Sequence, residues 1–153
     1  MRNRRARTEE ADVVAGLWLR ARRAALPAIP APVHSDDEVR AWFADVVLPQ
    51  REVWVGEEDG VVVGLLVLEH GWVDQLYVEP GRTNRGIGGR LVGVAKQQCR
   101  GGLRLWTFEA NVGARRFYER HGFVVVGSTG GNNEEGAPDV LYQWSPSGAT
   151  SAG

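Results

Sequence analysis

The stretch "LYVEPGRTNRGIGGRLV", Leu76 to Val92, decides how the rest of the chain is read. It runs from an apolar, β-rich segment through Pro80 and an arginine-flanked glycine cluster into a helix with Ile87, Leu91, Val94 and Ala95 on one face. A strand, a glycine loop and a helix start in that order gather unpaired backbone N–H groups and the positive end of a helix dipole at one point. Such a point suits an anion, and a phosphate first of all.

Upstream, "EVWVGEEDGVVVGLLVLEHGWVDQLYV" holds three β-rich runs split by "EEDG" and "HG", which predicts an antiparallel meander from Glu52 to Val78. Two helices are predicted before it. In the first, Thr8 is the candidate N-cap, and Ala11, Val14, Leu17, Trp18, Ala21 and Ala25 follow at helical spacing. In the second, "SDDE" reads as a capping box from Ser35 to Glu38, ahead of Val39, Trp42, Phe43, Val46 and Val47. The intervening "LPAIPAPVH", with three prolines, is an extended loop.

Downstream, the helix from Ile87 ends before Gly101 and Gly102, and "LRLWTF" is a short strand. Asn111 caps a further helix carrying Ala114, Phe117 and Tyr118 and stopping at Gly122. "FVVVGST" and "VLYQW" are two last strands divided by the polar loop "GGNNEEGAPD". Residues 1–145 are expected to form a single domain, and the tail 146–153, with nothing to bury, to be disordered. Two helices, a meander, then helix, strand, helix and two strands make a mixed α/β sheet with helices on its faces.

Composition narrows the function classes. A formal net charge of −1 over 153 residues gives no global pull toward nucleic acid or acidic membranes. The arginines from Arg2 to Arg23 read as a solvated face. A single cysteine, Cys99, excludes an intrachain disulfide and a cysteine-based zinc cluster, and fits a reducing cytoplasm. No apolar run has the length of a transmembrane helix, and the arginine-rich start lacks a signal peptide's apolar segment.

Three phosphate motifs compete for "GRTNRGIGGRL". Gly81 and Gly86 have Walker A spacing, but Ile87-Gly88 stands where a lysine and a hydroxyl residue are needed. A dinucleotide fingerprint fails because Leu91 takes the place of its third glycine, and because this strand follows a meander. What remains is an Arg/Gln-x-x-Gly-x-Gly/Ala loop entering a helix. With it, "LYVEPGRTNRGIGGRLV" resembles the coenzyme A loop of the GNAT superfamily of N-acetyltransferases, and "NVGARRFYERHGF", Asn111 to Phe123, is similar to that family's Asn-x-x-Ala-x-x-Phe-Tyr-Glu-x-x-Gly-Phe segment. The family's first loop position, usually Gln or Arg, is Thr83 here, with Arg82 and Arg85 on either side.

The resemblance implies a mixed, largely antiparallel sheet of about six to seven strands flanked by about four helices. It implies acetyl coenzyme A as co-substrate, with no metal. The pyrophosphate would lie on the N–H groups of Arg85, Gly86, Ile87, Gly88, Gly89 and Arg90, where the glycines let the backbone approach closely. Leu76, Tyr77 and Val78 would pair with the pantetheine arm as a strand pairs with a peptide. The same strand would splay from Leu103–Phe108, and an N–H near Leu76 would stabilise the oxyanion. Tyr118 maps onto the proton donor for the departing thiolate, and Asn111 onto a cofactor contact, a helix cap, or both.

A general base is harder to place. The family's usual positions fall on Trp72 and Trp106, which cannot take a proton. Glu69, Asp74, Glu109, His34 and His70 are the nearby alternatives, and a water chain is another. Asp74 leads them because period-two alternation puts it on the same side of its strand as Trp72 and Leu76. The acceptor, a small-molecule or peptide amine, would lie between "LPAIPAPVHSDD" and "GGNNEEGAPD", whose Asp36, Asp37, Glu134 and Glu135 suit a cation. Trp18, Trp42, Trp72 and Trp106 could wall the acceptor or simply pack the core. Two competing expectations are a non-catalytic acyl-CoA-binding module and a degenerate nucleotide-binding loop. Exposed edges of the late strands would support a homodimer.

Overall fold

The computed structural model describes residues 1–83 and 85–146. Its centre is a sheet of β1 (Arg2–Arg5), β2 (Glu52–Glu58), β3 (Val61–Glu69), β4 (Trp72–Val78), β5 (Leu103–Phe108), β6 (Val124–Thr129) and β7 (Asp139–Trp144), in the order β1-β2-β3-β4-β5-β7-β6. The expected disorder over 146–153 falls, from 147 onward, outside the described residues.

The meander forms as its sequence dictates. Strands β2 (Glu52–Glu58), β3 (Val61–Glu69) and β4 (Trp72–Val78) pair antiparallel. Their two turns hold Asp59-Gly60 (φ 51° and 79°) and His70-Gly71 (φ 50° and 83°). Left-handed backbone at both central positions is the hairpin geometry that matches strand twist. β3 is buried along nearly its whole length because both faces of the sheet are covered there. Val62, Leu65 and Val67 join one core with Leu17, Trp18 and Phe43, while Val63, Leu66 and Leu68 join a second with Ile87, Leu91 and Phe123. Each such fully buried aliphatic side chain contributes roughly 1.5–3 kcal/mol.

Helix α1 (Ala11–Ala24) covers the first face with α2 (Asp36–Trp42), whose Ser35 and Glu38 exchange both capping-box hydrogen bonds. α2 continues through a wider π turn, Phe43–Val47, into α3 (Leu48–Gln50), where Pro49 has no N–H to give. Helices α4 (Ile87–Gln98) and α5 (Val112–Arg120) lie on the second face. Strands β5 (Leu103–Phe108), β7 (Asp139–Trp144) and β6 (Val124–Thr129) complete the sheet.

Two N-terminal expectations are corrected. Thr8 is not the cap of the first helix: a 3₁₀ turn, Thr8–Glu10, leads into α1, and the Arg7 N–H donates to the Glu10 carboxylate at 2.8 Å. The arginine run is also not simply solvated, because β1 (Arg2–Arg5) pairs with the edge of β2. Arg4 bonds Glu10 and Glu57 there at 2.8 and 2.9 Å, with only 11% of its side chain exposed. A polar strand of this kind has no hydrophobic period, and its pairing is supplied by the neighbouring edge and the Glu10 and Glu57 carboxylates.

Candidate active site

The one parallel pairing in the sheet positions the site. β4 and β5 are in register only at Trp72 and Arg104, where the Arg104 N–H donates to the Gly71 carbonyl at 3.0 Å. Beyond that point the strands separate around a narrow cleft of 90 Å³, lined on one side by Asp74, Gln75 and Leu76 and on the other by Trp106, Thr107 and Phe108. The predicted splay is therefore present. Leu76, Tyr77 and Val78 pair through one edge with Leu66, Leu65 and Gly64 of β3, and Leu76 and Tyr77 line the cleft.

A bulge in β4 shifts its side chains. Val67 faces Gln75 and Leu68 faces Val73, so Asp74 is the extra residue. Leu76 and Val78 pack into the core beneath α4, as Val73 does, whereas Tyr77 packs on the α1 side and Gln75 accepts a 2.9 Å hydrogen bond from Trp18 Nε1 there. Simple alternation therefore fails at Asp74. Its carboxylate shares no face with Leu76; instead it accepts from Arg51 Nη1 at 2.5 Å. Burial raises the Asp74 pKa above the ordinary carboxylate value, and Arg51 opposes the rise.

At the mouth of the strand, Gly86 (φ 80°) caps α4, and its carbonyl accepts the Arg90 N–H at 3.1 Å, so Arg90 is corrected from an N–H donor for the pyrophosphate to a side chain only. α4 reaches this position because Gly64 has no side chain: a Cβ there would lie 2.8 Å from Leu91 Cδ1 and 2.9 Å from Ile87 Cγ2. Gly88 and Gly89 serve a purpose the sequence reading missed. A Cβ on Gly88 would lie 3.1 Å from the Phe117 ring, and one on Gly89 3.1 Å from His121, so both let α5 approach α4. Of the flanking arginines, Arg82 is held by Glu58 at 2.6 Å and Arg85 lies 3.8 Å from the same carboxylate. Arg90 is exposed, and no salt bridge involves it among the described residues.

α5 supplies the groups expected from the second motif. Asn111 is its N-cap, accepting from the Ala114 N–H at 3.2 Å, and it also lines the cleft. Tyr118 lines the cleft too, its ring packed edge-on against Phe117 and Phe123 and only 8% exposed. Among the described residues its hydroxyl has no hydrogen-bond partner. Burial, with a smaller contribution from Tyr77, pushes its pKa well above the ordinary phenol range and keeps the proton on oxygen. Phe117 packs against the α4-side core.

The remaining base candidates lie elsewhere. Glu69 is at the hairpin, 3.6 Å from Arg51. His70 lines a separate groove with Trp72, at the closed end of the β4–β5 pair. Glu109 is exposed, and its side chain lines none of these cavities.

On the α1 side lies a cavity of 670 Å³ between α1, α2 and the β6–β7 loop, walled by Trp18 and Trp42. The two loops expected to bound an acceptor do meet: His34 Nε2 lies 2.7 Å from Glu134, and Arg22 Nη2 lies 3.4 Å from Glu135. Glu134 is the main cause of the raised His34 pKa. Asp36 does not line the cavity and pairs with Arg23 instead. Gln75 lines both this cavity and the cleft, so the two spaces border on one residue. Arg22 and Gln75 were absent from the sequence-based site. For Arg22 the signal was available, since it falls on the buried stripe of Ala15, Trp18 and Leu19 at helical spacing.

The family model for the GNAT acetyltransferases matches residues 18–123. Among characterised relatives, the peptidyl-lysine N-acetyltransferase YiaC of Escherichia coli is 29% identical over 142 residues, covering 92% of this chain and 94% of YiaC. The apo form of E. coli YjaB superposes with a TM-score of 0.76 at 24% identity, over 95% of this chain and 98% of that one. Salmonella typhimurium YncA, solved with acetyl-CoA, gives 0.72 at 18% identity, over 95% and 93% of the two chains. These neighbours share the open sheet and the order of its helices, and the chain belongs to the GNAT family of acetyltransferases.

Proposed function

We propose that this protein transfers an acetyl group from acetyl-CoA directly to a primary amine of a small molecule or of a peptide or protein. The observation that carries the proposal is the meeting, at Gln75, of a strand-splayed cleft holding the Tyr118 phenol with a tryptophan-walled cavity rich in carboxylates. The cleft receives the pantetheine arm along β4, and the N–H groups from Arg85 to Gly89 at the start of α4, with the exposed Arg90 side chain, receive the pyrophosphate. Two solved neighbours, YncA and a PaiA N-acetyltransferase of Thermoplasma acidophilum, carry acetyl-CoA and coenzyme A.

In the transfer, a neutral amine attacks the thioester carbonyl and forms a C–N bond, and the C–S bond breaks. Tyr118 gives its proton to the departing thiolate and takes back the one that the attacking nitrogen sheds as the intermediate collapses to the amide. The proton lost by the acceptor ammonium goes to Asp74, whose half-buried carboxylate lines the cleft. A β4 backbone N–H near the bulge meets the developing oxyanion. YiaC's activity toward peptidyl lysine makes a lysine side chain the first peptide acceptor to try.

Calorimetric titration with acetyl-CoA, coenzyme A and ATP tests the binding half. Both coenzyme A species should bind and ATP should not. The exposed pair Arg85→Glu and Arg90→Glu should weaken binding by about tenfold or more. This pair is a better control than a change at Gly88, which would collide with Phe117. The second reading, a binding module without chemistry, draws support from Trp72 and Trp106 at the family's base positions and from the tie between Asp74 and Arg51. Amine-dependent release of free thiol from acetyl-CoA separates the two.

A further inference from the structure

Arg22 is a charged side chain inside the molecule, 6% exposed, in the last turn of α1. Its guanidinium lies over the Trp18 ring, 4.9 Å from the centroid, and 6.0 Å from that of Phe108. Trp18 walls the cavity and Phe108 lines the cleft, so Arg22 sits where an acceptor held in one must reach the thioester held in the other. Its position also shows in Tyr77, whose pKa is raised by burial and lowered by Arg22.

The guanidinium is poorly used for a buried group. Its hydrogen bonds to the Pro30 carbonyl and the Glu135 carboxylate both leave from Nη2 and are long, 3.3 and 3.4 Å. Nε is buried with no partner. A buried donor without a partner is costly, and the planar fork of arginine is matched best by a carboxylate taken through two nitrogens at once. Glu135 touches the fork by one oxygen from a surface loop, which marks the place as one that accepts a carboxylate without filling it.

We infer that the acceptor is an amine that also carries a carboxylate, and that Arg22 reads this carboxylate in exchange for Glu135. The inference rests on the acetyltransferase reading and narrows it from amines in general to amino-carboxylates. The other carboxylates lining the cavity, Glu38, Asp45 and Glu134, then face the ammonium end. A plain diamine would satisfy those groups and leave Arg22 as it is.

The test uses two matched pairs, L-lysine against cadaverine and L-phenylalanine against phenethylamine, each pair differing only by the carboxylate. They are titrated into the full chain saturated with acetyl-CoA, with binding followed by tryptophan fluorescence and transfer by thiol release. In at least one pair the amino acid should bind roughly tenfold more tightly or better, the value of a charge-assisted hydrogen bond. Arg22→Gln should remove that preference, and Glu135→Gln, which takes away the competing carboxylate, should enlarge it. Equal or better binding of the decarboxylated member in both pairs overturns the inference, as does no binding of either amino acid. Weaker amino-acid binding in Glu135→Gln overturns it also, and that variant keeps the test decisive if Arg22→Gln does not fold. Acetyl-CoA titration of each variant runs alongside: loss of coenzyme binding by the wild type sinks the acetyltransferase reading, whereas retained coenzyme binding with no carboxylate preference sinks the inference alone.

Discussion

The two walls of the site are held by different forces. On the coenzyme side, α4 is seated on Gly64 by Ile87 and Leu91, and α5 is seated on Gly88 and Gly89 by Phe117 and His121. These are close contacts between apolar and ring surfaces, tightest where Ile87 and Leu91 meet Gly64. On the proposed acceptor side, His34 and Glu134 join the two loops, Arg22 ties α1 to Glu135, and Arg23 ties α1 to Asp36 of α2. The exposed pairs His34–Glu134 and Arg23–Asp36 contribute little each and break and re-form easily, whereas Arg22–Glu135 is largely buried. On the proposed reading, the thioester would be presented from a closely packed wall to one held in part by exposed ion pairs, a division suited to a fixed donor and a more variable acceptor.

The largest effect that would sharpen this contrast is chemical. Tyr118→Phe should lower kcat by about 100-fold or more while leaving acetyl-CoA affinity and thermal stability near wild type. The removed hydroxyl has no hydrogen-bond partner among the described residues, so little folding energy is lost with it. Wild-type turnover in this variant would remove Tyr118 from the proton path.

Next is packing. Gly88→Ala should cost about 1–3 kcal/mol in denaturant unfolding because its methyl meets the Phe117 ring at 3.1 Å. Combining it with Phe117→Leu should recover part of that loss. Full additivity of the two changes would mean the contact is looser than drawn, and the coenzyme wall less rigid.

The smallest effect is a shift in a pH profile. Arg51 lowers the Asp74 pKa against the rise caused by burial, so Arg51→Gln should move it further up. As a base, Asp74 works when deprotonated, and the acid limb of the kcat profile should therefore move to higher pH. An unchanged limb would release Asp74 from that role and favour a water chain.

Much of the coenzyme wall was legible in the sequence. The β4 segment, the glycine loop and the α5 cap at Asn111 are each local, and each writes its own signal in spacing or turn chemistry. The two loops proposed to bound the acceptor were also legible as loops, because prolines and polar residues mark them. What the sequence concealed depends on contacts between distant segments. The bulge at Asp74 exists only as a register against β3, and it reversed an inference drawn from alternation. β1 exists only because β2 offers an edge. The junction at Gln75 requires Trp18, 57 residues away, to hold the side chain in place.

The contact of Gly88 with Phe117, and of Gly89 with His121, makes two separate sequence signatures into a single inherited unit. A chimera that takes its glycine loop from one relative and its α5 from another would bring together a hole and a ring shaped in different lineages. Crossovers between residues 89 and 117 should therefore be the least tolerated in shuffled libraries of this family. Those that keep both segments from one parent should survive, whatever happens to the acceptor loops.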